Sequence, residues 1–334
     1  MTLLRIARFI AVAILLLAIG MTCFVWWLFT MPLTLPQTPY ELEVKTGMSL
    51  SAVARELQGA NVLAQSWPMV ALARLQGVDR AIKAGSYEIE SGITLHELLA
   101  RLTQGDVSQT SFAIIEGATF ADVRRALHAE AQVKNTVLDL ADGELMGKLG
   151  APGQGVEGRF FPDTYFFPAG SRDLALLRRA HDSMTVRLAA AWEKRTPGLP
   201  LVSADEALIL ASIVEKETGR PADRPLIASV FINRLRQGMR LQTDPAVIYG
   251  MGARFDGNLR RRDLEADTPW NTYTRDGLPP TPIALPSQAS LDAVLHPPVT
   301  EYLYFVARGD GSSQFSTNLT EHNRAVAKFQ KGGR

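Results

Sequence analysis

Cysteine is nearly absent: the 334-residue chain has one, Cys23. A single cysteine excludes an internal disulfide and any Cys-based metal pattern. Cys23 sits in the most apolar stretch of the chain, so it reads as a buried, inert thiol. Histidine is also scarce. The five (His96, His128, His181, His296, His322) show no paired ligand spacing, so no metal is expected. Charge of one sign is lacking as well. The formal net charge is +1, and Lys and Arg are spread along the chain. That removes the basic stripe of a nucleic-acid binder, and no nucleic-acid partner is expected. There is no Gly-x-Ser-x-Gly elbow and no phosphate loop. Gly153-Gln-Gly155-Val-Glu-Gly158 matches the dinucleotide fingerprint in form only. No clear strand precedes it, and Arg-Phe-Phe-Pro follows where a helix should start, so no cofactor is expected.

One long uncharged run is present. Phe9 to Met31 carries no charged residue, and crossing a bilayer as a helix takes about 20 apolar residues. Arg5 and Arg8 precede the run, and Trp26 and Trp27 sit near its far end. This order places the N-terminus in the cytoplasm and the body outside. A cleaved signal peptide has a shorter apolar core, and Cys23 to Trp27 offers no small-residue cleavage site. Cys23 lies too deep in the run for a lipoprotein. The expected organisation is a cytoplasmic tail (1–8), a transmembrane helix (9–31) and a proline-rich linker (32–40). An αβ repeat region (41–138) and a larger domain (139–334) follow.

The repeat is visible at Gly47-Met-Ser-Leu, Gly92-Ile-Thr-Leu and Gly117-Ala-Thr-Phe. Each has apolar residues three and seven positions beyond the last residue quoted. The pattern predicts a turn, a Ser or Thr N-cap and a short amphipathic helix. Alternating segments before each (41–44, 85–89, 111–115) predict strands. Such a unit resembles the LysM type of glycan-binding module. A folding unit with no ligand site fits the repeat equally well. Further on, 139–158 reads as a polar, glycine-rich loop or junction. Helices are expected over 173–194, over 204–218, and from Pro225 to Gly238. A strand is expected over 301–307 and a terminal helix after Asn318.

The helix over 204–218 carries the candidate chemistry. Ser203-Ala-Asp-Glu206 has the form of a capping box. Ile209, Leu210, Ile213 and Val214 form one apolar stripe, with Leu208 off it. Glu217 falls on that stripe, while Glu215 projects to the opposite side beside Ala211 and Ser212. Burial and the negative end of the helix dipole would both keep Glu217 protonated near neutral pH, as a general acid requires. An ion pair with an arginine at a helix end would suit the position too. Polar clusters that could line a cleft are Glu157 to Tyr165, Gln242-Thr-Asp244 and Asn271-Thr-Tyr273. Each alone is ordinary turn chemistry.

Taken together, Leu210-Ala-Ser-Ile-Val-Glu-Lys-Glu-Thr218, Ser229-Val-Phe-Ile-Asn-Arg-Leu235 and the run Met239 to Gly250 resemble the endolytic murein (peptidoglycan) transglycosylase family, MltG/YceG-like. The segment Glu157 to Tyr165, the segment Asn271 to Pro280 and the closing His322-Asn323 fit the same pattern. The resemblance implies an α+β fold: a transmembrane helix, a LysM-like repeat domain and a mixed α/β catalytic domain. It implies a single-pass inner-membrane protein with a periplasmic body that cuts nascent glycan strands internally, ending their elongation. Peptidoglycan strands would be the substrate and peptidoglycan synthases plausible partners. The essential acid would be Glu217. It would protonate the oxygen linking N-acetylmuramic acid to N-acetylglucosamine, then act as base on the muramic C6 hydroxyl, giving a 1,6-anhydro end. Gln242, Asp244, Asn271 and Tyr273 would position substrate, with Glu157 and Asp163 as further candidates. Two other readings remain open: a non-catalytic, membrane-tethered peptidoglycan binder, and a muramidase that uses water with Glu157 or Asp163 as second carboxylate.

Overall fold

A computed structural model describes residues 16–17, 19–21, 29–45, 47–83, 85–104, 109–168 and 170–331. The expected tail and most of the expected span, with Arg5, Arg8, Cys23, Trp26 and Trp27, lie outside these residues. Among the described residues no helix is long and apolar enough to cross a membrane. The chain divides into two compact units. Unit 1 comprises the chain up to 111 with 166–171, and unit 2 comprises 112–165 with 172–334.

The elements run β1 (Tyr40–Val44), α1 (Leu50–Gly59), α2 (Trp67–Leu75), β2 (Gly85–Ile89), α3 (Leu95–Gln104) and β3 (Gln109–Ala113). Then come α4 (Phe120–Ala129), β4 (Val133–Lys134), α5 (Asp142–Lys148), β5 (Thr164–Pro168), β6 (Ser171–Arg172) and α6 (Asp173–Glu193). The helices α7 (Ala204–Glu217), α8 (Arg224–Arg236), α9 (Asp244–Met251), α10 (Arg261–Glu265) and α11 (Gln288–Leu295) follow. The chain closes with β7 (Tyr304–Ala307), β8 (Ser313–Ser316) and α12 (Leu319–Val326). The sheets among the described residues are two-stranded: β1–β2, β3–β5, β4–β6 and β7–β8. The fold is therefore α+β, with helices supplying most of the core.

In unit 1, β1 and β2 pair antiparallel, with Leu42 opposite Tyr87 and Tyr40 opposite Ile89. The helices α1, α2 and α3 bury Val53, Leu57, Met69, Leu98, Leu99 and Leu102 against Leu42, Val44 and Ile89. The repeat seen in the sequence takes one form three times. Gly47, Gly92 and Gly117 have φ of 83°, 89° and 73°, the left-handed region glycine occupies at little cost. Two residues on, the hydroxyls of Ser49, Thr94 and Thr119 accept N–H bonds from Ala52, Glu97 and Asp122. Thr94 and Thr119 complete capping boxes, because Glu97 and Asp122 accept from their backbone N–H groups. The third copy, α4, belongs to unit 2. In the proline-rich stretch before β1, Pro32 bridges Thr94 and Leu33 N–H donates to the Ile93 carbonyl at 2.8 Å, and the chain then bends over 36–39.

Two sequence expectations in unit 2 need correction. The stretch 139–158 is not all loop, since α5 forms within it. Asp142 and Glu144 in its first turn and Lys148 in its last suit the helix dipole, and Leu145 and Met146 are buried. Gly143 and Gly147, which suggested a loop, face open space on this helix. The second correction concerns α7. It has no single apolar stripe: Ala207 to Val214 are all buried, including Leu208 and Ser212. Apolar on every side, it is the central helix of the unit. The helices α6, α8 and α11 pack around it. Its N-terminus is held by two acceptors. Glu206 N–H donates to the Ser203 hydroxyl, while the Glu206 carboxylate accepts from Val202 N–H at 2.7 Å rather than from Ser203.

The expected strand over 301–307 shortens to β7, which forms a hairpin with β8, Phe305 opposite Phe315. The start of α6 is fixed by buried Asp173, which accepts backbone N–H bonds from Thr136, Val137 and Leu138.

Candidate active site

The last turn of α7 sends its two glutamates to different places. Glu215 accepts from the backbone N–H and the hydroxyl of Ser287 at 2.8 and 2.5 Å, and Arg224 lies 3.4 Å away. Its side chain is only 6% exposed, so this is a structural clamp between α7, α8 and the start of α11. The arginine pairing that the sequence left open for Glu217 is thus found at Glu215.

Glu217 instead opens onto a cleft of about 570 Å³, a size suited to small ligands or a few sugar units. Lining it with Glu217 are Arg234 from α8, Gln242, Asp244, Tyr273, Tyr304 from β7 and His322 from α12. The Thr243 hydroxyl donates to Glu217 Oε1 at 2.6 Å. Burial pushes the carboxyl up from its ordinary 4.5 to about 7. The Thr243 bond and the Arg234 charge oppose that rise, and the Asp244 charge adds to it. A carboxyl raised to that level can give up or take a proton near neutral pH.

The floor is set by the turn entering α9. Gln242 has φ of 53°, a left-handed conformation costing a non-glycine residue about 1–2 kcal/mol. Two backbone bonds hold it there: Gln242 N–H to the Thr272 carbonyl at 3.1 Å, and Thr243 N–H to the Thr272 hydroxyl at 2.9 Å. Asn271 fixes the facing loop. It is fully buried, its amide donates to the carbonyls of Leu264 and Ala266, and its oxygen accepts from Tyr273 N–H at 2.8 Å. The Tyr273 hydroxyl then donates to Asp244 Oδ1 at 2.6 Å, and burial and that carboxylate raise its pKa.

Of the residues singled out in the sequence, Glu217, Gln242, Asp244 and Tyr273 meet in this cleft. Asn271 stands behind it, holding Tyr273 rather than lining the space. Glu157 is elsewhere, 7% exposed, accepting from Phe120 N–H at the start of α4 and from the Tyr249 hydroxyl. Asp163 is exposed and accepts from its neighbour Thr164 N–H. Neither lines the cleft. Sequence reasoning passed over Thr243, Arg234 and Tyr304 as individuals, although the first two lie inside segments that stood out. His322 stood out only as part of the closing His-Asn pair. Among the described residues no group of three or more His, Cys, Asp or Glu could hold a metal.

The residues named in this cleft lie within the stretch that relates the chain to known proteins. The YceG-like family pattern matches residues 42–328. The chain belongs to the YceG-like family. It is 32% identical over 310 residues to a Bacillus subtilis protein named endolytic murein transglycosylase, covering 88% of this chain and 85% of that one. A Streptococcus pneumoniae protein of the same name is 28% identical over 280 residues, and the chain spans half of its length. Among solved structures, a yceG-like protein of Listeria monocytogenes aligns with a TM-score of 0.54 and 27% identity. That alignment covers 86% of this chain and 98% of the other.

Proposed function

We propose that this YceG-like protein cuts peptidoglycan glycan strands internally as a lytic transglycosylase, with Glu217 as sole acid and base. The observation that carries the reading is a carboxyl held near pH 7 in an open cleft with a hydroxyl donor on one oxygen. Protonated Glu217 gives its proton to the oxygen between N-acetylmuramic acid and N-acetylglucosamine, and that C1–O bond breaks. The resulting carboxylate takes the proton of the muramic C6 hydroxyl, whose oxygen bonds to C1. Glu217 is then protonated again, and no water is consumed. An internal nucleophile needs no second carboxylate to activate water. Glu157 and Asp163 lie away from the cleft, and the one further carboxylate in its lining, Asp244, accepts from the Tyr273 hydroxyl. Gln242, Asp244 and Tyr273 would contact substrate, and Asn271 would position Tyr273.

The finer biology belongs to the same proposal. The run over 9–31 would anchor the chain in the inner membrane with its body in the periplasm. Unit 1, of LysM-like type, would hold a glycan strand. Cutting nascent strands would end their elongation, with peptidoglycan synthases as working partners.

Mass spectrometry of fragments released from purified sacculi tests the reading. The expected fragments end in 1,6-anhydro sugars, one water lighter than reducing ends. Reducing ends would assign a hydrolase, with Asp244 the carboxylate to examine. No release at all would assign a binder.

A further inference from the structure

Among the polar groups of the cleft that the mechanism above does not use, the Arg234 guanidinium is a fixed cation. Arg234 is 7% exposed, and its guanidinium is fixed in place. Nε donates to the Leu303 carbonyl at 2.7 Å. Nη1 donates to the carbonyls of Arg240 and Leu241, both at 3.0 Å, and to Gln242 Oε1 at 3.2 Å. The Tyr304 ring lies 5.1 Å from the guanidinium carbon. With Nε and Nη1 tied to four oxygens of the chain, this side chain cannot swing away to solvent. Nη2 makes no hydrogen bond among the described residues and is not sealed from solvent. It therefore presents N–H donors of a permanent cation to the cleft.

The other charged groups there do not neutralise it by contact. Glu217 is bonded to Thr243 and Asp244 to Tyr273. Neither forms an ion pair with Arg234 among the described residues. An oriented guanidinium with one nitrogen unbonded and no carboxylate in contact calls for an acceptor oxygen, best an anionic or acyl one. On a muramyl strand the N-acetyl group occurs on every sugar. The 3-O-lactyl acyl group occurs only on muramic acid, as a carboxylate when bare and as an amide carbonyl when it bears a stem peptide.

We propose that Arg234 Nη2 is a binding site for the lactyl acyl oxygen of a muramic residue, so that this side chain sets which linkage of the alternating strand faces Glu217. The proposal rests on the transglycosylase reading. It assigns the cleft a register device: only when a muramic sugar stands in the right place does its side group reach the guanidinium.

A substrate-side experiment tests it without disturbing the fold. Strands freed of stem peptides carry lactyl carboxylates, and chemical reduction turns these into neutral alcohols. With the full-length chain, kcat/KM on the reduced strands should fall about tenfold or more, the scale of one lost charge-assisted hydrogen bond. The loss should fall mainly on KM. An Arg234→Lys variant, with its fold checked by circular dichroism, should be weaker on carboxylate strands and indifferent to reduction. Equal kcat/KM of the wild-type chain on both substrates would overturn the subsite alone. Failure to cut even the unmodified strands would overturn the transglycosylase reading, and the subsite with it.

Discussion

Two carboxyl groups of unit 2 are raised by burial to the same level, about 7, yet they occupy opposite kinds of place. Glu157 is shut into the body of the unit, and its oxygens are held by Phe120 N–H at a helix start and by the Tyr249 hydroxyl. Glu217 ends a helix at the wall of a cleft and has one hydroxyl partner. A displaced pKa is common to both, so it does not by itself mark a catalytic group. Access separates them. A proton can pass between Glu217 and something bound in the cleft, whereas Glu157 is 7% exposed and does not line that cleft. Glu215, two residues from Glu217, makes a third contrast. It is buried and clamped by Ser287, with Arg224 beside it.

Substitutions can break this comparison at each carboxyl. The largest effect is expected at Glu217. Glu217→Gln should lower the rate of release from sacculi by roughly 10²–10⁴-fold, the usual range for a general acid–base, with the thermal transition little changed. Glu157→Gln should leave release nearly intact, so similar losses in both variants would erase the distinction. Next is Glu215→Ala, which leaves Arg224 without its buried counter-charge and Ser287 N–H without its acceptor. A loss of about 3 kcal/mol in chemical denaturation is expected.

Glu157 should show itself in the pH dependence of stability. Its folded pKa lies above the ordinary value of 4.5, so the native state holds the proton more tightly. That contribution is full below about 4.5 and is lost as pH rises through about 7, a change of roughly 3 kcal/mol. Glu157→Gln should flatten that slope in denaturant titrations from pH 4.5 to 7. The smallest effect is expected for Thr243→Val. Removing the donor that steadies the Glu217 carboxylate should raise the kinetic pKa and slow cleavage by no more than about tenfold. A lowered kinetic pKa would contradict the assigned bond.

The three helix starts of the repeat were legible because each is written in a few adjacent residues: glycine, a hydroxyl and an apolar spacing. Glu217 stood out as an acidic residue at the end of an apolar helix, and it lines the cleft, although the single apolar stripe that singled it out does not exist. The full burial of α7 was not legible, because Leu208 lies beside Gly158 and the Ser212 hydroxyl accepts from Ile283 N–H, both from segments distant in the chain. The cleft depends on such distance too. Arg234, Gln242, Tyr273, Tyr304 and His322 come from five segments that no local pattern joins. Asn271 shows the converse error. A short polar residue in a cluster that fits the family resemblance reads as a ligand contact, but its hydrogen bonds all serve a loop. The β7–β8 hairpin was half seen, since Ser313–Ser316 has little apolar alternation of its own.

The sharpest test of the account is the pH profile of kcat/KM for the full-length chain and for its Glu157→Gln variant, measured side by side. Both should lose activity as pH climbs past about 7, because the acid that must protonate the glycosidic oxygen is Glu217 in both. A rate that keeps rising through pH 8, or an alkaline limb that moves only in the Glu157 variant, would contradict it.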